Sequence, residues 1–242
     1  MKDRDRVFSE PRSQIVDFVF DDEVARVFPD MIRRSVPGYE TIIPITGLLA
    51  ARHVSTLPAE SRRVYDLGCS LGASTLALLG QLGDSAASII GVDSSAPMLE
   101  RARMLVGDAR VSFLHADIRE LEFEPAAAVL LNFVLQFITP DERGALLKRI
   151  RACIAPAGVL VVSEKLRFQT AEEQAFYDAA HLDFKRANGY SELEISQKRT
   201  ALENVMLIDS EEQHRERFTQ AGFGHIRKWF QCLNWVSYLV YP

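Results

Sequence analysis

Four polar side chains stand where short apolar runs give way to loops: Asp66, Asp93, Asp117 and Asn132. A carboxylate or amide at such a point can accept hydrogen bonds from the hydroxyls and amines of a ligand lying across strand ends. The first belongs to Asp66-Leu67-Gly68-Cys69-Ser70-Leu71-Gly72. Its small residues let a ligand approach the backbone, and a helix starting after them offers free N–H groups. The loop lacks the lysine and hydroxyl of the triphosphatase GxxxxGKS/T motif and departs from GxGxxG. An acid at Asp66 sits badly against a pyrophosphate but suits a ligand with a cationic amine. Asp93 lies 25 residues after Gly68, close to the ~20 of an acid that accepts from both ribose hydroxyls. Asp117 with Ile118 is placed to hold an adenine through its exocyclic amine and by apolar contact, and Asn132 completes the rim. One aspartate after a strand is more often a helix cap than a ligand contact. Four polar residues at successive strand ends favour a site for an adenosyl ligand with a cationic amine, and S-adenosylmethionine is such a ligand.

Elements of alternating type must carry these residues. Arg63 to Leu67 reads as a strand that stops at Gly68, and the segment after Gly72 places Leu76, Leu79 and Leu82 at helical spacing. Ser88 to Asp93 is a second strand, and Ser94-Ser95-Ala96-Pro97 starts a helix with Met98, Ala102 and Leu105 on one face. Val111 to Ala116 and Ala127 to Phe133 are two further strands. Thr139-Pro140-Asp141-Glu142 reads as a capping box opening a helix, with Leu146, Leu147, Ile150 and Ile154 on its apolar face. Pro156-Ala157-Gly158 then turns the chain into Val159 to Ser163, an apolar run of the kind buried on both faces of a parallel sheet. Five βα-type units in series predict a doubly wound α/β sheet. Residues 1–60 read as an N-terminal cap of helices and turns, and 166–210 as a mostly helical insertion within a single domain spanning 1–242. Glu211 to Ala221 is helical, and Lys228 to Leu239, broken near Asn234, forms a terminal hairpin.

The chain has 242 residues, 48% of them hydrophobic and 25% charged, which excludes collagen-like and wholly disordered chains. With 28 basic and 33 acidic residues the formal charge is −5, which argues against a long electrostatic track for nucleic acid or an anionic membrane. No apolar run reaches the ~20 residues of a membrane span, and the first residues are charged rather than signal-like. A cytoplasmic protein is expected. Cys69, Cys153 and Cys232 form no CxxC pair, so they read as free thiols and no metal site is expected.

The succession Asp66-x-Gly68-x-Ser70-x-Gly72, Asp93, Asp117 and Asn132 resembles the class I S-adenosylmethionine-dependent methyltransferases over residues 60–165 and the terminal hairpin. That resemblance implies a Rossmann-like, mostly parallel seven-stranded sheet with an antiparallel C-terminal hairpin. Ser70 replaces the usual middle glycine, at little steric cost if its backbone angles are ordinary. Longer strings resemble the bacterial carboxy-S-adenosylmethionine synthase family over nearly the whole chain. These are Val64 to Ala73, Leu131-Asn132-Phe133, Leu135-Gln136-Phe137 and above all Asp183 to Arg199.

This second resemblance implies that S-adenosylmethionine and prephenate become carboxy-S-adenosylmethionine and phenylpyruvate. It also implies a homodimer, a product able to co-purify, and a downstream tRNA carboxymethyltransferase that uses the product on a wobble uridine. Direct contact with nucleic acid or membrane is not implied. Carried over residue by residue, the family assigns Tyr39 to the cofactor and Gly68, Cys69 and Ser70 to its methionine part. Asp93 with Ser94 goes to the ribose, Asp117 with Ile118 to the adenine, Asn132 to the reacting end and Arg199 to the new carboxylate. Arg199 is the catalytic candidate, because a guanidinium matches a carboxylate in bidentate geometry. Lys198 and Arg186 are candidates for a dianionic donor, with a solvated role as the alternative. His181 reads as a helix-face residue rather than a general base, and Cys69 as a backbone contributor. Two rivals are an ordinary methyltransferase acting on a small molecule or tRNA, and a non-catalytic carrier of the modified cofactor. Against a nucleotide-amine methyltransferase, the fourth strand lacks the Asn/Asp-Pro-Pro-aromatic clamp.

Overall fold

A computed structural model describes residues 4–242. Helices α1 (Asp22–Ser35) and α2 (Tyr39–Val54) precede an alternating series. It runs β1 (Arg63–Leu67), α3 (Ala73–Leu82), β2 (Ser88–Asp93), α4 (Ala96–Leu105), β3 (Val111–His115), β4 (Ala126–Asn132), α5 (Pro140–Cys153) and β5 (Ile154–Lys165). Three helices follow, α6 (Ala171–Ala187), α7 (Glu192–Leu202) and α8 (Glu211–Gln220), and then β6 (His225–Cys232) and β7 (Trp235–Tyr241). The seven strands lie in the order β3-β2-β1-β4-β5-β7-β6. Pairing is parallel from β3 across to β5 and antiparallel where β7 joins β5 and β6 joins β7. Strand order reverses between β1 and β4, and the crevice above that switch point is where open α/β sheets bind ligands.

Both sheet faces are covered, so the central strands are apolar throughout rather than alternating. All of β4 except Asn132 is buried. On one face Leu146, Leu147 and Ile150 of α5 and Phe218 of α8 pack on Val129, Leu131 and Leu160. On the other, Val54 of α2 and Leu78 of α3 pack on Ile89, Leu130 and Val161. A third cluster joins Phe8, Phe18, Val24, Val27 and Met31 to Met98 of α4 and Ala201 of α7, so the N-terminal segment and the insertion close over the strand ends together.

Three local expectations are corrected. Pro156-Ala157-Gly158 is no turn but part of β5, because Ala126 pairs with Ile154 and Ala128 with Val159, and the extra residues are absorbed as an irregularity of that ladder. The Thr139 side chain caps no backbone N–H; its hydroxyl donates to Glu142, whose carboxylate also receives Arg119. Reciprocal capping boxes instead open α7 (Ser191 with Glu194) and α8 (Ser210 with Gln213). The link from β3 to β4 contains no helix, and Arg149 pins it by donating to the carbonyls of Arg119 and Leu121.

Candidate active site

The loop after β1 passes three times through the left-handed region, at Gly68 (φ +65°), Ser70 (φ +50°) and Gly72 (φ +79°). A Cβ on Gly68 would lie 2.5 Å from Cγ2 of Val134, so glycine is what lets this loop meet the one after β4. Ser70 does not have ordinary angles, and a side chain in this conformation costs roughly 1–2 kcal/mol. Its N–H donates to Oδ2 of Asp93 at 2.8 Å and its hydroxyl meets the Met98 sulfur at 3.3 Å, which hold the strained turn in place. Oδ1 of Asp93 accepts from the Ser95 N–H, also at 2.8 Å. Burial raises the Asp93 carboxyl while those backbone donors hold it back. Each oxygen keeps a further acceptor position, the arrangement two ribose hydroxyls require.

Asn132 ends β4 with Nδ2 donating to Ser74 Oγ at 3.0 Å, while its buried Oδ1 has no partner. Phe133 follows at φ +64° and turns the chain away from the sheet. The next three N–H groups, of Val134, Leu135 and Gln136, donate to the buried Glu164 carboxylate on β5 at 3.0, 2.7 and 3.1 Å. Glu164 thereby holds Val134 against Gly68. Burial pushes its carboxyl up to about 8, against the pull of the three donors and Arg143. Glu164→Ala is expected to destabilise the protein by roughly 3–5 kcal/mol, since three buried N–H groups lose their acceptor. Glu164→Gln, which keeps an acceptor, should lose less than half as much. Equal losses in urea unfolding would remove this capping role.

Tyr39 opens α2 behind Gly38. Its ring stands 6.1 Å from Phe133, which meets Trp235 edge-on at 5.3 Å. Burial keeps the phenol protonated. His181 of α6 packs on Trp235 and places Nε2 2.8 Å from the Ser35 carbonyl. Burial, then Lys185 and Lys165, push this imidazole down to about 3, so it stays neutral and is a weak base.

Lys165, Lys185 and Lys198 face the same cavity, of about 430 Å³, as Tyr39, Gly68, Cys69, Ser70, Asp93, Ser94 and Asn132. Lys198 donates to Ser35 Oγ at 2.9 Å and lies 3.8 Å from the buried Asp5 carboxylate, which also receives the Tyr190 hydroxyl. The Arg34 guanidinium lies over the Tyr190 ring at 3.8 Å. This network joins the N-terminal segment to the junction of α6 and α7. Cys69 offers no thiol chemistry, because burial drives its thiol upward.

Other expected residues lie outside the cavity lining. Asp117 is paired with Arg119 at 2.6 Å, which holds its carboxyl below the usual range, and Ile118 is buried in the core beneath. Asp66 is fully enclosed, accepts the Thr75 hydroxyl at 2.6 Å and is raised by burial to about 6, so it braces the loop from below instead of meeting an amine. Arg186 is exposed and paired with Asp183 and Glu192. Arg199 is exposed on α7 and forms no hydrogen bond or ion pair among the described residues, yet its charge lowers both Lys165 and Lys185. Lys165 is hidden in the sequence because the apolar run of the fifth strand stops at Ser163, whereas β5 continues to Lys165 and places it at a strand end like Asp93 and Asn132. Lys185 lies within the Asp183 to Arg199 string but looked no different from its charged neighbours.

The residues present fit S-adenosylmethionine: Asp93 has spare acceptor positions for a ribose, the turn at Gly68, Cys69 and Ser70 lines the cavity, and the unpartnered Asn132 Oδ1 can accept from an amine. A family model described as a methyltransferase domain matches residues 64–158. An O-methyltransferase family protein from Burkholderia thailandensis superimposes with a TM-score of 0.63 at 15% identity, covering 92% of this chain and 60% of that one. Human N-acetylserotonin methyltransferase, solved with S-adenosylmethionine, gives 0.59 at 13%, covering 91% and 55%. At such identity these two carry the fold alone. The carboxy-S-adenosyl-L-methionine synthases of Stutzerimonas stutzeri and Pseudomonas putida are 50% and 51% identical, covering 99% and 100% of this chain and 99% of each relative. With identity at that level running from end to end over a methyltransferase-type sheet, the chain belongs to the carboxy-S-adenosyl-L-methionine synthase family.

Proposed function

We propose that this protein transfers the ring carboxyl of prephenate to the methyl carbon of S-adenosylmethionine, giving carboxy-S-adenosylmethionine and phenylpyruvate. The observation that carries the reading is a single cavity lined both by the residues of an adenosyl cradle and by three lysines. The sulfonium acidifies its methyl group. As prephenate aromatises, the bond from ring to carboxyl carbon breaks and a bond from methyl carbon to carboxyl carbon forms. The ring hydroxyl and the methyl proton leave together as water, so atoms and charge balance. Bulk water would quench a carbanion-like methyl carbon, and the Tyr39, Phe133 and Trp235 rings shield this part of the cavity.

In this reading Asp93 and Ser94 take the ribose, Gly68, Cys69 and Ser70 the methionine part, and Asn132 the amine near the reacting end. Asp117 takes the adenine amine on an acceptor position left beside Arg119, with Ile118 beneath the ring. Arg199 takes the new carboxylate. Residues 1–242 work as one domain, and two copies form a homodimer. The product leaves for a tRNA carboxymethyltransferase, and the protein itself touches neither tRNA nor membrane. No helix among the described residues is long and apolar enough to cross a membrane, and in this reading the protein works in the cytoplasm.

Mass spectrometry of a reaction with S-adenosylmethionine and prephenate tests the proposal. The expected result is a cofactor heavier by one carboxyl group, formed only with prephenate and over many turnovers. A methylated acceptor without need of prephenate would establish the methyltransferase instead. Retention of added carboxy-S-adenosylmethionine with no synthesis would establish a carrier.

A further inference from the structure

We infer that Lys165, Lys185 and Lys198 form a receptor for a donor bearing two carboxylates on an apolar body, with Lys185 left unpaired for the ligand. This rests on the carboxyl-transfer reading and adds the residues that choose the donor. The three come from separate elements: the end of β5, the last turns of α6, and α7. All three nevertheless line one cavity, and bringing three like charges into one half-buried space is unfavourable without compensation.

Compensation inside the protein is uneven. Lys198 has Asp5 at 3.8 Å and the Ser35 hydroxyl. Lys165 is supported electrostatically by Asp178 of α6. Lys185 is supported by no carboxylate; burial, then Lys198, Lys165 and Arg199, push its ammonium down to about 7. Among the described residues neither the Lys165 nor the Lys185 ammonium makes a hydrogen bond or ion pair. Arg33 of α1, also at the cavity, is answered by Asp30 and Glu40, and His181 is neutral. The positive charge left over is therefore local to Lys165, Lys185 and Arg199. Phe133, Trp235 and Val36 supply apolar wall in the same cavity. A monoanion would leave one ammonium unanswered, whereas a ring with two carboxylates answers both and seats its apolar part on the aromatics.

Steady-state kinetics and calorimetry on the full chain, with S-adenosylmethionine saturating, test this. Lys185→Met is expected to raise the KM for prephenate ~10- to 100-fold, the usual loss for one charge-assisted contact, while the Kd for S-adenosylmethionine moves less than about threefold. Lys165→Met should do the same. Phenylpyruvate, with one carboxylate, should bind weakly to wild type and lose far less in either variant. The pH dependence supplies a readout that a structural role would not move. Lys185 is charged below about pH 7 and neutral above it, so prephenate affinity should fall as pH rises through neutrality. In Lys185→Arg it should stay flat to pH ~9, because guanidinium remains charged. An unchanged KM in both Met variants, or equal losses for prephenate and phenylpyruvate, would overturn the receptor. Failure of the function and of the receptor are separable: lysine-dependent binding of prephenate without carboxylated product sinks the reaction and keeps the receptor, whereas turnover indifferent to these lysines does the reverse.

Discussion

Asp93→Ala is expected to weaken S-adenosylmethionine binding by about 100- to 10,000-fold in calorimetry. Hydrogen bonds to a charged acceptor are worth ~1.5–3 kcal/mol each, and two ribose hydroxyls lose theirs at once, which converts to a loss of that order. The loop suffers as well. Oδ2 of Asp93 holds the N–H of Ser70, and Ser70 sits at φ +50° with a side chain. Without that acceptor the strained residue is free to relax, and the cradle with it. Asp93→Asn keeps an acceptor for one backbone N–H but not for both, and should fall between wild type and Ala. Unchanged affinity in Asp93→Ala would take the ribose away from this residue.

Arg199→Ala is expected to leave S-adenosylmethionine affinity within about twofold while cutting the rate of carboxylated product by ~100- to 1000-fold, the scale of removing one fixed donor from a developing charge. The split follows from position. Arg199 lies outside the cavity lining that holds the cradle residues, and its charge reaches Lys165 and Lys185. Its guanidinium has no hydrogen-bond or ion-pair partner among the described residues, so nothing inside the described chain competes for a carboxylate. Calorimetry together with product mass spectrometry reads both halves. Wild-type turnover would sink the assignment of Arg199 and transfer the carboxylate to the three lysines. Arg199→Lys should recover only part of the rate, since an ammonium cannot reproduce the bidentate fit.

Periodicity made most of the sheet legible in advance. The strand ends at Asp93 and Asn132 fall where apolar runs stop, because a buried parallel strand must be apolar until it leaves the sheet. Less regular features were missed for definite reasons. Pro156 to Gly158 has the composition of a turn, but pairing on both sides of the irregularity keeps it within β5. The Thr139 box failed because its glutamate is taken by Arg119, which is distant in sequence. Asp66 resembles the other strand-end acids in sequence, yet its side chain accepts the Thr75 hydroxyl and is enclosed rather than open to a ligand.

The sequence alone determined the doubly wound sheet, the glycine-bearing loop and the residues at its strand ends, since these depend on local period and on chain order. Only the tertiary structure decided that Ser70 is strained, that Glu164 braces the loop after β4, and that Lys165, Lys185 and Lys198 share one cavity with the cradle. The reason is physical. A side chain's role follows from its neighbours and its exposure to water, and for groups 20 or 33 residues apart along the chain those are set by how α6 and α7 fold back over the sheet.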